Sequence, residues 1–361
     1  MQRPLALAAL ARVARHLAAV PPAARLRRAA GVTLLFCATV ARAGDWTAID
    51  SHALAAAPAD ERDVSSLARY LGRAARSDAE RLRAAYRWVS DRITYDAIAY
   101  RDRQAEFVEA DQVLASRKAV CGGFVKLYTE LARELGVRTR VIRGYAKEPG
   151  HEPGREIPAP NHSWIAVQID GQWRFIDPTW GAGTADADGH ADKQFSEFEF
   201  LAEPDAFAFT HYPSREDDFL YSQRFSKQQF ERLSAPVERL VEFGVAPGLL
   251  LGRAVTPGFD GFAEAFDVPA GLVRDLHVPL DGRLAAGPEH DFELNAPEAD
   301  DVALIDGDRW LHFEREGAHF RLRSAVGAGR DVQLALHLPG RPAYLTFMRY
   351  GVTTPAGLAA R

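Results

Sequence analysis

Apolar positions recur at helical spacing in the first half of the chain and in short alternating runs towards its end. Ser77-Asp78-Ala79-Glu80 reads as a capping box, and Leu82, Ala85, Tyr86, Val89 and Ile93 then share one face. This predicts a helix of about fifteen residues, ended by Tyr95-Asp96. Arg101 to Glu109 is charged enough for a loop or an exposed helix, and Val113-Leu114 opens the approach to the next element. There Phe124, Leu127, Tyr128, Leu131 and Leu135 lie on one face of a second helix that starts at Cys121 and is capped by Gly136.

Strand patterning follows. Thr139 to Tyr145 has β-type composition, and Lys147 to Pro160, with Pro149, Gly150, Pro153, Gly154, Pro158 and Pro160, must be a loop in which His151 is expected to be solvated. Asp170-Gly171 is a two-residue turn signal between His162–Ile169 and Gln172–Asp177. With Ile169 opposite Gln172, the register puts Trp164 opposite Asp177 and His162 opposite Thr179. Side chains alternate with period two, so His162 and Asp177 become diagonal neighbours on one face.

Beyond about residue 240 the expected strands are Leu272 to Pro279, Asp291 to Leu294, Arg309 to Phe313, Phe320 to Leu322, Val332 to Leu338 and Tyr344 to Tyr350. Glycines and prolines between them predict an antiparallel β-sandwich of roughly 110 residues. Three segments result: a leader at 1–43, a mixed α+β domain at 44–240 and a sandwich-like domain at 241–361.

With 47% hydrophobic and 26% charged residues, the composition is that of a globular protein with a sizeable core. The net charge of -5 carries no long single-sign block beyond an Arg-rich beginning, so neither nucleic acid nor an anionic membrane is expected as partner. Arg25-Leu26-Arg27-Arg28, an apolar run from Ala29 to Val40 and Ala41-Arg42-Ala43 read as an export leader cleaved after Ala43. The run is shorter than the roughly 20 residues that cross a bilayer, so the mature chain is expected to be periplasmic or secreted, with no integral membrane segment. The leader exceeds the usual length of about 15 to 30 residues, which leaves an extended n-region or a start codon downstream of Met1.

Only Cys37, inside that leader, and Cys121 are cysteines, so the mature chain holds one thiol and no internal disulfide. At a helix N-terminus, unpaired backbone N–H groups and the helix dipole favour a thiolate. Gly122 and Gly123 serve either as close-packing residues or to let a substrate backbone approach the sulfur. Cys121, His162 and Asp177 thus form a candidate nucleophilic triad. Trp164 and Trp180 are candidates for shielding it from water, with core packing as the alternative for each. His277, His290, His312, His319 and His337 lack metal-ligand spacing, and no phosphate loop occurs, so no metal or other cofactor is expected.

Val120-Cys121-Gly122-Gly123-Phe124, Gly144-Tyr145, Asn161-His162-Ser163-Trp164 and Trp173-Arg174-Phe175-Ile176-Asp177-Pro178-Thr179-Trp180-Gly181 resemble the transglutaminase-like superfamily, in the branch of kyphoscoliosis peptidase. The resemblance spans roughly residues 80 to 235. Phe200-Leu201-Ala202-Glu203-Pro204 and His211-Tyr212-Pro213 resemble the segment that follows the core in that branch. It implies a papain-like α+β core with Cys121 as nucleophile, His162 as base and then acid, and Asp177 orienting the imidazole. Ile165 departs from the Asn that many members carry, a difference that bears on substrate or water positioning.

The implied chemistry is attack of the thiolate on a peptide, protein or cell-wall amide carbonyl, giving a thioester that water or an amine resolves. The alternative from another class is a binding or scaffold protein that keeps the fold. Retention of Cys121, His162 and Asp177 favours the enzyme.

Overall fold

A computed structural model describes residues 45–354, apart from 103–107, 149, 186–189, 234–236 and 330. The expected leader, with Cys37 and the cleavage point after Ala43, lies outside the described residues. No helix among the described residues is long and apolar enough to cross a membrane.

The first long helix is Asp78–Arg92, and its capping box is formed by Ser77 and Glu80. Helix Cys121–Glu134 follows, with Leu135 as C-cap and Gly136 at φ 82°, the left-handed position that relieves the last turn. Four antiparallel strands form the central sheet in the order Gln172–Ile176, His162–Ile169, Thr139–Ala146 and His211–Pro213. Its hairpin has the expected register, Ile169 opposite Gln172 and Ile165 opposite Ile176, with Asp170 and Gly171 both at positive φ.

The sheet separates two apolar clusters. On one side Ile165, Val167 and Ile176 pack with Leu82, Val89, Phe124 and Leu131 of the helices. On the other, Ile142, Trp164, Ala166 and Phe175 join Phe207, Phe230 and Leu240 in a cluster that continues to Phe292, Leu334 and Tyr350. Strand alternation produces this division, because odd and even positions of one strand face opposite sides.

The C-terminal region is rich in strands, arranged in two sheets. One has the order Arg274–His277, Glu289–Asn295, His319–Ala325, Glu314–Glu316. The other runs Arg283–Ala285, Leu345–Thr353, Asp331–His337, Asp301–Asp306, Arg309–His312, with Glu264–Ala265 also on Leu345–Thr353. Strand Asp301–Asp306 was not expected from sequence: Val302, Ala303 and Leu304 are all buried, so no alternation marks it. Pairing of Arg283–Ala285 with Leu345–Thr353 is parallel, the exception to an otherwise antiparallel arrangement.

Candidate active site

Cys121 opens its helix, and Val120 carbonyl already accepts the amides of Gly123 and Phe124. The two glycines after the cysteine separate in role. A Cβ on Gly123 would sit 2.6 Å from the Cβ of Ala119, whereas one on Gly122 would meet nothing within 4 Å. Gly123 therefore lets the helix close on the strand Lys118–Ala119, and Gly122 leaves the space beside the sulfur open.

A cleft of about 980 Å³ has Cys121, Gly122 and His162 in its lining. Its other wall is the 147–160 loop, whose base is closed by Asn161. The Asn161 carboxamide accepts from Ala146 N–H at 2.8 Å and donates to Ala146 carbonyl at 3.0 Å. The loop is pinned from behind: Lys147 Nζ donates to Leu233 carbonyl at 2.7 Å, and Ile157 N–H to Glu231 Oε1 at 2.8 Å. Burial lowers Lys147 to about 7, against the opposing pull of Glu231. His151, expected to be a solvated loop residue, is half-buried in the lining of the cleft, and its Nε2 is buried without a protein partner.

His162 and Asp177 meet as the register requires. His162 Nε2 donates to Asp177 Oδ2 at 2.5 Å, with His162 8% exposed and Asp177 fully buried. Asp177 Oδ1 accepts the amides of Thr179 at 2.8 Å and Trp180 at 3.2 Å, so the turn after Pro178 holds the carboxylate by its own backbone. Burial disfavours a charged imidazole, yet Asp177, joined by the Cys121 side chain, raises His162 to about 10. Burial likewise opposes the Asp177 charge, and His162 and His211 overcome it, holding the carboxyl well below its usual range. Since Nε2 is taken by Asp177, Nδ1 is the nitrogen left to exchange a proton with the sulfur.

Trp164 is fully buried, with its ring centroid 6.4 Å from that of His162. The Trp180 centroid lies 5.5 Å from the same ring. Both indoles border the pair: Trp164 packs in the interior, whereas Trp180 is half-buried.

His211 is a site residue that sequence reasoning did not single out. Its Nε2 lies 3.3 Å from Asp177 Oδ2, and it is fully buried. It stands 34 residues from Asp177, and the strand that carries it is three residues long, too short to show a period. Its ligand atom and those of His162 and Asp177 lie within 4.8 Å of one another, close enough in principle to hold a metal ion. Both imidazole Nε2 atoms are, however, already spent on Asp177 Oδ2 in hydrogen bonds, which a cation would have to displace.

Residues 65–178, which contain all three members of the candidate triad, match the model of the transglutaminase-like superfamily. The chain carries a transglutaminase-like core. Kyphoscoliosis peptidase of Mus musculus is 31% identical to it over 159 residues, covering 44% of this chain and 24% of that protein. The chain thus spans about a quarter of that relative's length. Hillarin of Drosophila melanogaster is 26% identical over 323 residues, covering 85% of this chain and 37% of its own. Among solved structures, red sea bream transglutaminase is 12% identical, with a TM-score of 0.27 over 85% of this chain and 58% of that one. The transglutaminase-like core here is followed by the strand-rich region, and its sheet shares an apolar cluster with that region.

Proposed function

We propose that the chain is an exported cysteine acyltransferase or peptidase that forms a thioester on Cys121. The observation that carries this reading is the buried His162–Asp177 pair, whose ring borders the cleft that holds Cys121. His162 Nδ1 takes the thiol proton, and the imidazolium is held by the Asp177 carboxylate. The thiolate attacks the carbonyl carbon of a peptide or carboxamide, and His162 returns the proton to the leaving amine. The oxyanion meets the Cys121 amide, which lies in a first helical turn with no intrahelical acceptor. Water then gives the acid, or an amine gives a new amide. The leader-like sequence of residues 25–43 supports action outside the cytoplasm, on peptide, protein or cell-wall amides.

The test is alkylation of Cys121 by iodoacetamide as a function of pH in protein recovered from the periplasm or medium, whose first residue is expected to be Gly44. On the acid side of neutrality the wild-type rate should stay well above that of His162→Ala, and the two should differ in their dependence on pH. Identical profiles would sink the reading. Peptide hydrolysis and amine incorporation assays then separate cleavage from transfer.

A further inference from the structure

We infer that His211 is a positioning residue for the reaction, a buried neutral imidazole that holds the Asp177 carboxylate in place and keeps it an anion. The inference rests on the Cys121–His162 reading above and adds a second imidazole to it.

The sheet register brings the residue there. In the strand Thr139–Ala146, Gly144 lies opposite His162 on one side and Pro213 on the other, while Ala146 lies opposite His211. Gly144 and Ala146 share a face, so His162, Trp164 and His211 gather on it. Gly144 has no side chain to separate them, and a Cβ there would press on the Trp164 ring at 2.7 Å.

The hydrogen bonds then fix the proton. An ionised carboxylate offers only lone pairs, so His211 Nε2 must carry hydrogen to bond Asp177 Oδ2. A neutral ring leaves Nδ1 as an acceptor, and Thr210 Oγ1 stands 2.9 Å from it to donate. Asp177 thus accepts from two amides on Oδ1 and two imidazoles on Oδ2. The titratable groups facing His211 are Asp177 and His162, with Tyr221 donating to its carbonyl at 2.5 Å and Glu199 facing Asp177 from behind. Burial, reinforced by the His162 charge and only partly offset by Asp177, lowers His211 to about 4. The ring stacks on Phe207 at 4.5 Å and lies tilted against Trp180 at 4.6 Å, which leaves little rotational freedom.

Without the His211 donor the carboxylate becomes a stronger base and protonates at higher pH, taking with it the charge that supports the His162 imidazolium. His211→Phe keeps the stack and removes the donor. The acid limb of Cys121 alkylation should then begin about one pH unit higher, so that the rate at a given pH on that limb falls about tenfold, the scale of a hydrogen bond to a charged group. His211→Gln, whose amide can reach the Nε2 position, should recover most of the loss. Thr210→Val should move the limb the same way by less, because it removes only the bond that fixes the tautomer.

Ring nitrogen NMR on the wild-type protein reads the same arrangement without a variant, and Nε2–H on a neutral His211 is expected at neutral pH. A wild-type profile in folded His211→Phe, or Nδ1–H or a charged ring at His211, would overturn the inference. If His211→Phe fails to fold, His211→Gln and Thr210→Val with the NMR tautomer decide it. If wild-type alkylation does not depend on His162, the underlying reading fails and this one with it. Dependence on His162 alone overturns only the role of His211.

Discussion

Asp177 carries the electrostatics of the site through two oxygens, each accepting two hydrogen bonds. The His162 value is raised from 6.5 to about 10, so its contribution to stability is complete below about 6.5 and is lost as pH rises through about 10. Asp177 is depressed from 3.8, so its contribution is present above that value and fades as pH falls below it. The two windows overlap between 3.8 and 6.5. Asp177→Asn should therefore lower Tm most in that interval, and its difference from wild type should shrink towards pH 10 and again in strong acid. Thermal melts of both proteins across pH check this, and a difference independent of pH would show that the charge is not what Asn removes.

At the level of the element, the start of the Cys121 helix sets how close the nucleophile lies to the strand and how open the cleft is. Gly123→Ala should destabilise by about 1–3 kcal/mol, because its Cβ would overlap Ala119 and overpacking outweighs the better helix propensity. Gly122→Ala meets no atom and should gain up to about 1 kcal/mol in urea unfolding, while narrowing the cleft beside the sulfur. Equal effects at the two positions would remove the division of roles. The helix, its cap and the hairpin register were legible beforehand because each rests on local rules: a capping box, a 3.6-residue period and a turn that needs two positive φ values. The place of His151 was not, since it depends on a loop pinned by Leu233 and Glu231 from a distant part of the chain.

For the whole molecule, the apolar cluster on the rear of the central sheet has no boundary near residue 240. Phe209 contacts Phe262 with ring centroids 5.8 Å apart, and Phe243 contacts Phe347 at 6.1 Å. A chain ending at residue 240 would expose Phe207, Phe209 and Leu240, which are now buried. It should be poorly soluble or bind a hydrophobic dye, and proteolysis should digest it readily. A soluble, cooperatively unfolding 45–240 fragment with wild-type alkylation would instead show that the core stands alone.

The sequence by itself determined the cysteine at a helix start, the His162–Asp177 diagonal and the family motifs, all of which follow from spacing along one or two neighbouring elements. Tertiary structure alone decided that His211 reaches Asp177 and that Gly122 and Gly123 differ in role. It also decided that the strand-rich region shares a core with the sheet that carries His162. Those facts depend on which residues meet across the sheet after folding, and period and propensity describe only what a segment does with its own neighbours.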